Sequence, residues 1–283
     1  MAVLTRVQLT TAILALAILL TSASPLIIRS SIERSLSDPA DPKTLRIMTY
    51  NIQQAFDAEG VMDFGRIIET MGKSDPDLIG IQESLPTRQI SSNLHPLYEI
   101  ARALGYYVYQ GAGPQYQTPG VSILSKFPIE KAHFIMLKTE SLPRTAAGVR
   151  VSIQGQLLDF YSVHLGVFSA TERVDQVEDL LGFIDETSPG LVVPRIVVGD
   201  FNDHPNTTVY NMMTSAGYID SWTAANNTLN ATIGFTYDSY VPYETIDYIF
   251  VSGSPAVTVK SCMVITAQYG SDHLPVEAVI KLP

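Results

Sequence analysis

The chain has 283 residues, with 18 Lys and Arg against 28 Asp and Glu, so its formal net charge at pH 7 is −10. Because binding along a phosphate backbone needs a basic face, this charge argues against a protein that depends on such contacts, although a bound divalent metal would reverse the local field. The length suffices for one large α/β domain with a substantial core, and a single cysteine, Cys262, excludes an internal disulfide.

The first 29 residues form an apolar leader. Residues 7–28 carry no charge and are flanked by Arg6 and Arg29. The short apolar core and the small residues Thr21-Ser22-Ala23 favour a cleaved signal peptide, whereas the total uncharged length favours an N-terminal membrane anchor. Both alternatives stay open, and both predict an extracytoplasmic protein, either secreted or anchored through this segment.

A polar segment at residues 30–44, which contains two Asp-Pro pairs, is predicted to be a linker. Residues 45–283 follow as one domain. Within it lie three Asn-X-Thr sequons, at Asn206, Asn226 and Asn230. They are glycosylation sites only if the host has that machinery, and ordinary loop composition is the slightly better explanation.

Hydrophobic periodicity predicts a β-rich domain with interspersed helices. Strands are predicted at residues 45–50, 78–81, 106–109, 121–124, 132–137, 149–153, 157–163, 196–198, 246–251, 257–264 and 276–280. Helices are predicted after Asp63, at residues 97–104, after a capping box formed by Ser169 and Glu172, and at residues 209–215. Because consecutive hairpins alternate with helices, we expect an α/β (α+β) fold of two packed sheets with the helices outside.

Polar side chains capable of catalysis stand at the ends of these apolar strands. They are Asn51, Glu83, His164, the pair Asp200 and Asn202, Asp247, and the pair Asp272 and His273. Only 16% of the chain is charged, so a repeated placement of such groups at strand ends is hard to attribute to chance. The pattern predicts a site assembled from six separate segments.

The stretch Gly199-Asp200-Phe201-Asn202, at the end of one predicted strand, contains two side chains suited to hydrolytic chemistry. Asp200 can accept a proton or orient a water, and Asn202 can donate to an anionic oxygen without adding charge. Alternation along an extended chain would point both side chains the same way, with Phe201 turned toward the core. The alternative is a strand that ends in an Asx-type turn.

Other polar positions differ in how strongly they indicate a site. Glu83 follows a buried apolar strand, where a carboxylate is costly unless it is paired or bound to a metal. His164, taken alone, is typical of a hydrogen-bonded structural histidine. We expect His95 and His133 to be surface or structural residues, and Cys262 to be a small core residue.

Six short motifs lie in one order along residues 45–283 and resemble those of the endonuclease/exonuclease/phosphatase (DNase I-like) superfamily. They are Thr49-Tyr50-Asn51-Ile52, Ile81-Gln82-Glu83-Ser84, Ser162-Val163-His164-Leu165, Gly199-Asp200-Phe201-Asn202, Ile246-Asp247-Tyr248-Ile249 and Ser271-Asp272-His273-Leu274-Pro275. The resemblance implies a four-layer αββα sandwich of two mixed β-sheets flanked by helices, with the site at one edge.

The resemblance also implies a Mg²⁺-dependent phosphoric ester hydrolase, with Mn²⁺ as the alternative ion. Glu83 would be the main carboxylate ligand of the metal, and Asn51 and Asp272 would complete or support the metal site. These oxygen ligands suit a hard cation that keeps several waters.

The remaining motif residues would be catalytic. Asp200 would orient or deprotonate the attacking water, and Asn202 and His164 would hold the phosphoryl oxygens. Asp247 would pair with His273 and fix its tautomer. Whether Asp200 or His273 takes the proton of the water stays open.

A second, local resemblance concerns the substrate. Residues 115–129 are similar to the corresponding part of the C-terminal domain of Cwh43-type proteins, which are membrane proteins linked to the remodelling of glycosylphosphatidylinositol anchors. Two further substrate-binding candidates are Arg144, because relatives commonly carry an arginine near this point, and His204, because it closely follows Phe201. Thr245 is a departure, since many relatives have Arg before the Ile-Asp-Tyr motif.

Three functions are consistent with these patterns. The first is metal-dependent hydrolysis, outside the cytoplasm, of a phosphodiester or phosphomonoester in a lipid headgroup, an inositol phosphate or a similar compound. The second is an exported DNase I-like endonuclease, against which the acidity counts. The third is a catalytically weak binding module, against which the intact set of motifs counts. The expected partner is a phosphoester substrate, with a membrane lipid favoured over nucleic acid, and no feature indicates a protein partner.

Overall fold

The computed structural model describes residues 41, 43–57, 59–84, 96–111, 120–189, 192–227, 234–266 and 270–283. All of them belong to one unit, Ser35–Pro283. The predicted leader, most of the predicted linker, His95 and Asn230 lie outside the described residues. Among the described residues, no helix has both the length and the apolar character needed to cross a membrane.

The described residues contain twelve strands, eleven of them at predicted positions. They are β1 (Thr44–Asn51), β2 (Leu78–Ser84), β3 (Tyr107–Gln110), β4 (Gly120–Ser125), β5 (Ile129–Leu137), β6 (Arg144–Ile153), β7 (Gln156–His164), β8 (Arg195–Asp200), β9 (Tyr218–Asp220), β10 (Asp247–Ser252), β11 (Thr258–Val264) and β12 (Val276–Lys281). The strand that the sequence did not predict, β9, is too short to show a period of two.

The helices of the described residues follow the prediction, with two short additions, α5 and a 3-10 helix at Gln53–Ala55. The α-helices are α1 (Phe64–Ser74), α2 (Pro96–Leu104), α3 (Ala170–Thr187), α4 (Thr208–Ser215) and α5 (Ser221–Ala224). As predicted, Asp63 caps α1 and accepts a hydrogen bond from the backbone nitrogen of Arg66 (3.2 Å).

The strands form two mixed sheets. The first has the order β11-β12-β1-β2-β4-β3, and the second has the order β5-β6-β7-β8-β10-β9. β1 pairs with β2, and β7 with β8, in parallel, so that His164 lies beside Asp200 at the carboxyl end of the second pair. β10 runs antiparallel to β8 and places Asp247 opposite Asp200. The topology therefore brings several predicted site residues to one edge.

Three clusters of buried apolar side chains hold the layers together. One cluster lies between the sheets and includes Ile47 and Phe160. A second joins the first sheet to α1 and α2, and a third joins the second sheet to α3 and α4. The order of helices, sheet, sheet and helices confirms the four-layer αββα sandwich.

The two sheets approach closely beneath the site edge. A Cβ atom at Gly80 of β2 would lie 2.2 Å from Val198 Cγ2 of β8, so only glycine fits there. Next to it, Gln82 crosses between the sheets, because its Nε2 donates to Ser162 Oγ (3.1 Å) and its Oε1 accepts from Thr49 Oγ1 (3.2 Å). The ends of β1, β2 and β7 are thereby fixed relative to one another.

The capping box predicted at α3 forms only in part. Ser169 Oγ accepts from the backbone nitrogen of Glu172 (3.2 Å), as in a capping box. The Glu172 carboxylate instead accepts from Thr139 Oγ1 (2.8 Å) and Ser141 Oγ (3.0 Å) of the β5–β6 loop. Glu172 is thus used to hold a distant loop, which a local sequence motif cannot reveal.

Candidate active site

A buried histidine–carboxylate pair lies at the centre of the site edge. His273 Nδ1 lies 2.9 Å from Asp247 Oδ2, and the two residues are 6% and 3% exposed. Because an ionised carboxylate only accepts hydrogen bonds, Nδ1 carries a proton. His273 Nε2 then faces Asp200 Oδ2 at 3.7 Å. The structure thus brings together the pair that the resemblance implied.

The charges around His273 favour its protonated form. Burial lowers the pKa of His273, but Asp247, Asp200 and Asp272 together outweigh burial and raise the pKa to about 10. The imidazole is therefore a cation at neutral pH, with both ring nitrogens as donors. A cation in this position suits the stabilisation of a developing negative charge better than it suits proton abstraction.

Asp200 ends β8 and is the most connected carboxylate of the site. Its Oδ2 accepts from Asn51 Nδ2 (3.0 Å) and lies 3.3 Å from His164 Nε2. Burial raises the pKa of Asp200, the neighbouring charge of Asp247 raises it further, and His273 opposes them, with a result of about 7. A carboxyl group with a pKa near neutrality is suited to general acid–base catalysis.

The backbone after Asp200 differs from the extended chain that we predicted. Asn202 has a φ of 48°, in the left-handed region that asparagine tolerates, and its backbone nitrogen donates to Asp200 Oδ1 (2.9 Å). The alternative interpretation, an Asx-type turn, is therefore correct for the local backbone, while Phe201 is buried as predicted. Asn202 Nδ2 donates to the Leu165 carbonyl (2.9 Å), which leaves one amide hydrogen for a substrate oxygen.

His164 connects Arg144 to Asp200. Arg144 Nη1 lies 3.2 Å from His164 Nδ1, and since a guanidinium only donates, Nδ1 is the acceptor and Nε2 carries the proton toward Asp200. Burial, Arg144 and His273 hold the pKa of His164 well below its usual value, so the ring is neutral. Both ring nitrogens already have protein partners. Direct binding of a phosphoryl oxygen by His164 stays a prediction, and it requires one of these bonds to open.

Glu83 and Asp272 supply the carboxylates of the predicted metal site. The pairing of β2 with β4 is irregular between Ile81 and Ser84, and Glu83 has a φ of 54°, so a bulge sets the direction of its side chain. Burial raises the pKa of Asp272; His273 lowers it, and the negative charge of Glu83 raises it. A carboxyl group whose ionised form is disfavoured by a neighbouring carboxylate fits a site for a divalent cation, and oxygen ligands suit Mg²⁺.

Asn51 stands between the predicted metal ligands and the catalytic residues. Its Oδ1 accepts from the backbone nitrogen of Gln53 (3.1 Å), which leaves a second lone pair for a metal. A different group, Asp200 with Asp247 and His273, is the one whose ligand atoms lie within 4.8 Å of one another in the described residues. The hydrogen bond between His273 Nδ1 and Asp247 Oδ2 links two of these residues within the protein, while Asp247 Oδ1 has no hydrogen-bond partner among the described residues.

His204 is not brought into this cluster. It lies on the surface, where its Nε2 is 3.4 Å from Glu244 Oε2, and its contact with substrate stays a prediction. His133 is exposed and Cys262 is buried, as predicted.

Sequence reasoning missed the side chains that support the site. Gln54 Nε2 donates to Glu83 Oε2 (3.2 Å), Arg173 Nε donates to Asp203 Oδ2 (3.2 Å), and the ring of Tyr237 lies 5.0 Å from that of His273 between centroids. Gln54 could have been found, because it follows the Asn51 motif directly. Arg173 and Tyr237 lie outside the motifs, so no local signal indicated them.

The fold and the site together define a phosphoester hydrolase of the DNase I-like type. A sequence model of the Endonuclease/Exonuclease/phosphatase family matches residues 48–273, a range that includes all of the predicted site residues. The chain therefore belongs to this family, whose members act on phosphoesters.

Two curated relatives match parts of the chain. Protein cwh43 of Schizosaccharomyces pombe is 28% identical over 144 residues, which cover 50% of this chain and 15% of that protein. Nocturnin of Xenopus laevis is 25% identical over 215 residues, which cover 65% of this chain and 54% of that protein. The chain thus spans about half of one relative and a small part of the other.

Solved structures share the architecture. The mannosyl-6-phosphatase of Bacteroides thetaiotaomicron has a TM-score of 0.69 at 23% identity, with 83% of this chain and 99% of that chain covered. The human nocturnin catalytic domain with bound sulfate anion also has a TM-score of 0.69 at 23% identity, with 86% and 96% covered. At this identity the likeness concerns the fold.

Proposed function

We propose that the protein is a Mg²⁺-dependent hydrolase, able to use Mn²⁺, that cleaves a phosphodiester or phosphomonoester of a lipid headgroup, an inositol phosphate or a similar compound outside the cytoplasm. The observation that carries this proposal is the convergence on Asp200 Oδ2 of Asn51, His164 and the Asp247–His273 pair at one edge of the sandwich.

The protein side chains divide the chemistry among them. As the water oxygen bonds to phosphorus, Asp200 takes the proton of the water, because it is the acceptor at the centre of the network; the ester P–O bond breaks, and the leaving oxygen takes a proton from solvent. His273, held as a cation by Asp247, donates to a phosphoryl oxygen as negative charge develops. Asn202 provides its second amide hydrogen to the same phosphoryl group. Glu83, Asp272 and Asn51 would hold Mg²⁺, which would supply Lewis-acid polarisation of the substrate.

A lipid or small phosphoester is favoured over DNA for two reasons. The net charge of −10 gives no general attraction to a nucleic acid backbone. The similarity to cwh43, at 28% identity over half of this chain, extends the local resemblance to Cwh43-type proteins. Because the fold is similar to that of a mannosyl-6-phosphatase, we include phosphomonoesters among the proposed substrates.

A substrate panel at fixed Mg²⁺ tests the function. The panel contains bis-p-nitrophenyl phosphate, p-nitrophenyl phosphate, phosphatidylinositol and sphingomyelin vesicles, and plasmid DNA. We expect turnover of a small ester or a lipid, loss of turnover in Asp200→Asn, and full turnover in the matched control Asp185→Asn, whose side chain is 80% exposed. Cleavage of plasmid DNA alone would support the nuclease alternative, and no turnover of any substrate would support the binding module.

The location is a separate part of the proposal. The uncharged leader at residues 7–28 supports export, whether it is cleaved or retained. Fractionation of cells that express a C-terminally tagged chain tests it. We expect the tag in the extracytoplasmic or membrane fraction, and a soluble full-length cytoplasmic product would contradict export without bearing on the chemistry.

A further inference from the structure

Large apolar side chains project into solvent from three loops that adjoin the site. These residues are between 44% and 74% exposed: Leu142, Val167, Phe168, Tyr240, Val241 and Tyr243. We call this set the apolar rim. Scattered exposed apolar residues need no explanation, but a group on loops that adjoin one site indicates a binding surface.

The contacts of the loops place the rim at the site. Val167 and Phe168 follow His164, and Leu142 precedes Arg144 by two residues. The loop that carries Val241 is joined to the site, because the backbone nitrogen of Ser239 donates to the Asp272 carbonyl (2.8 Å).

Polar contacts fix all three loops while their apolar tips remain exposed. Arg173 Nη1 donates to the carbonyls of Gly166 (3.1 Å) and Val167 (3.2 Å). The backbone nitrogen of Ser141 donates to Thr139 Oγ1 (3.2 Å), and the backbone nitrogen of Tyr243 donates to the Tyr237 carbonyl (2.8 Å). The hydrogen bonds of the loops therefore hold the apolar side chains of the rim in an exposed position. Contact of these side chains with water is unfavourable, and a second surface that covered the rim would remove it.

We infer that the apolar rim docks on the surface of an uncharged or zwitterionic lipid bilayer, so that the site faces the membrane. The inference rests on the proposed function and narrows its substrate to a phosphoester presented at a bilayer. A protein seated on the rim would close the opening to substrate, whereas a bilayer delivers substrate through it. The apolar leader expected from the sequence would bring the domain to the same surface.

The charges on the rim loops determine the kind of bilayer. The same loops carry three acidic residues, Glu140, Asp238 and Glu244, against one lysine, Lys138, and the whole chain has a net charge of −10. Binding must then come from insertion of apolar side chains, since an anionic surface would repel these carboxylates. We therefore expect phosphatidylcholine vesicles to bind the rim better than vesicles that also contain phosphatidylserine.

Site-specific labelling tests rim docking without relying on activity, and a control position far from the rim separates docking of the rim from attachment through the leader. In the full chain, Phe168→Cys and Val241→Cys each carry an environment-sensitive dye, and Cys262 is buried and serves as the unlabelled background. The matched control is Val192→Cys, which is 84% exposed but precedes the amino end of β8, opposite the site. Phosphatidylcholine vesicles with a quencher on the acyl chains report insertion at each position.

We expect both rim dyes to be quenched by these vesicles and the dye at position 192 to remain unquenched. The double variant Phe168→Ser/Val241→Ser should weaken quenching of a dye at Tyr243→Cys by about tenfold or more in lipid concentration. Equal quenching at all positions, or none at the rim, would overturn the inference. A change in the rim dyes that depends on protein concentration without vesicles would overturn it in favour of a second copy of the chain.

Hydrolysis of bis-p-nitrophenyl phosphate separates this inference from the proposed function. Turnover of this soluble ester without rim quenching would leave the function standing and remove bilayer docking. Rim quenching without turnover of any ester would support docking and remove the function. The Phe168→Ser/Val241→Ser variant should keep its turnover of the soluble ester, because neither side chain belongs to the catalytic network.

Discussion

Two buried clusters of charge in the second sheet differ in how well their charges are matched. Far from the site edge, Arg150 of β6 pairs with Asp159 of β7 through two contacts of 2.6 Å, and Ser188 Oγ donates to Asp159 Oδ2 (2.7 Å). The hydrogen bonds to Asp159 raise the pKa of Arg150, so the pair stabilises its own charged form. The charges of the Arg150 guanidinium and the Asp159 carboxylate therefore compensate each other, and both groups form hydrogen bonds.

At the site edge the charges are not matched. His273 is close to both Asp247 and Asp200, Asp247 Oδ1 is buried without a hydrogen-bond partner, and Asp272 adds a third carboxylate nearby. The pKa values of Asp200 and His273 are both raised. The Arg150–Asp159 pair, in which the charges are matched, therefore contributes to folding. The cluster of His273, Asp247, Asp200 and Asp272, in which they are not matched, provides groups that can bind a proton, a metal or a phosphoryl group.

Removal of His273 should have the largest effect on activity. We expect His273→Ala to lower kcat by about 10⁴-fold, because it removes the cation that faces the phosphoryl group. The exposed His133→Ala serves as the control and should keep full activity. Because its raised pKa shows that His273 also stabilises the folded state at neutral pH, His273→Ala should lose stability as well, and kcat is therefore measured on protein that circular dichroism shows to be folded. A large loss of stability with intact kcat would reverse the assignment.

Loss of the charge on Glu83 should come next. Glu83→Gln keeps the shape of the side chain but removes the anion, so we expect kcat to fall about 10³-fold and Mg²⁺ binding to weaken in isothermal titration calorimetry. Chelation with EDTA should reproduce the loss in the wild type. Glu69→Gln, at a side chain that is 60% exposed, is the matched control. Full activity of the EDTA-treated wild type would refute metal dependence.

Removal of Asp159 from the Arg150–Asp159 pair should lower stability and leave activity unchanged. Asp159→Ala leaves the Arg150 guanidinium buried without its anion, so we expect the free energy of unfolding to fall by about 3–5 kcal/mol while kcat of the folded enzyme stays unchanged. The double change Arg150→Met/Asp159→Leu should recover most of the stability, since it removes both charges. A normal unfolding midpoint for Asp159→Ala would show that the pair does not stabilise the fold.

A separate effect, on stability rather than on activity, should come from Asp200 and should depend on pH. Its pKa is raised from an ordinary 3.8 to about 7, so the folded state binds more protons than the unfolded state, and wild-type stability falls as pH rises through this range. Asp200→Asn should therefore raise the free energy of unfolding at pH 8, with the gain shrinking toward pH 4. The same variant should be inactive. Urea unfolding at both pH values measures this, and a gain independent of pH would contradict the assigned cause.

Much of the site could be predicted from strand ends. Asn51, His164 and Asp200 each follow a run of buried apolar residues, and parallel pairing of such strands brings their carboxyl ends together. The family motifs then added Asp247 and His273. These positions were predictable because their signals are local in the sequence.

What could not be predicted depends on contacts between distant segments. The bulge at Glu83 follows from the pairing of β2 with β4, and a period of two cannot show it. Arg173 contacts Asp203 from the first turn of α3, and the Glu172 carboxylate binds the β5–β6 loop instead of completing its predicted cap. The Arg150–Asp159 pair likewise depends on strand register, which only the folded sheet defines.

The central claim is that Asp247 and His273 act as one unit, and a double-mutant cycle on kcat at saturating Mg²⁺ tests it most directly. Asp247→Asn alone should be severe, because His273 loses the carboxylate that fixes its Nδ1 proton 2.9 Å away. In the His273→Ala background the same change should cost little more, since no imidazole remains to be oriented. Losses that add, so that the double variant is worse than His273→Ala by the full effect of Asp247→Asn, would show that the two residues are not coupled.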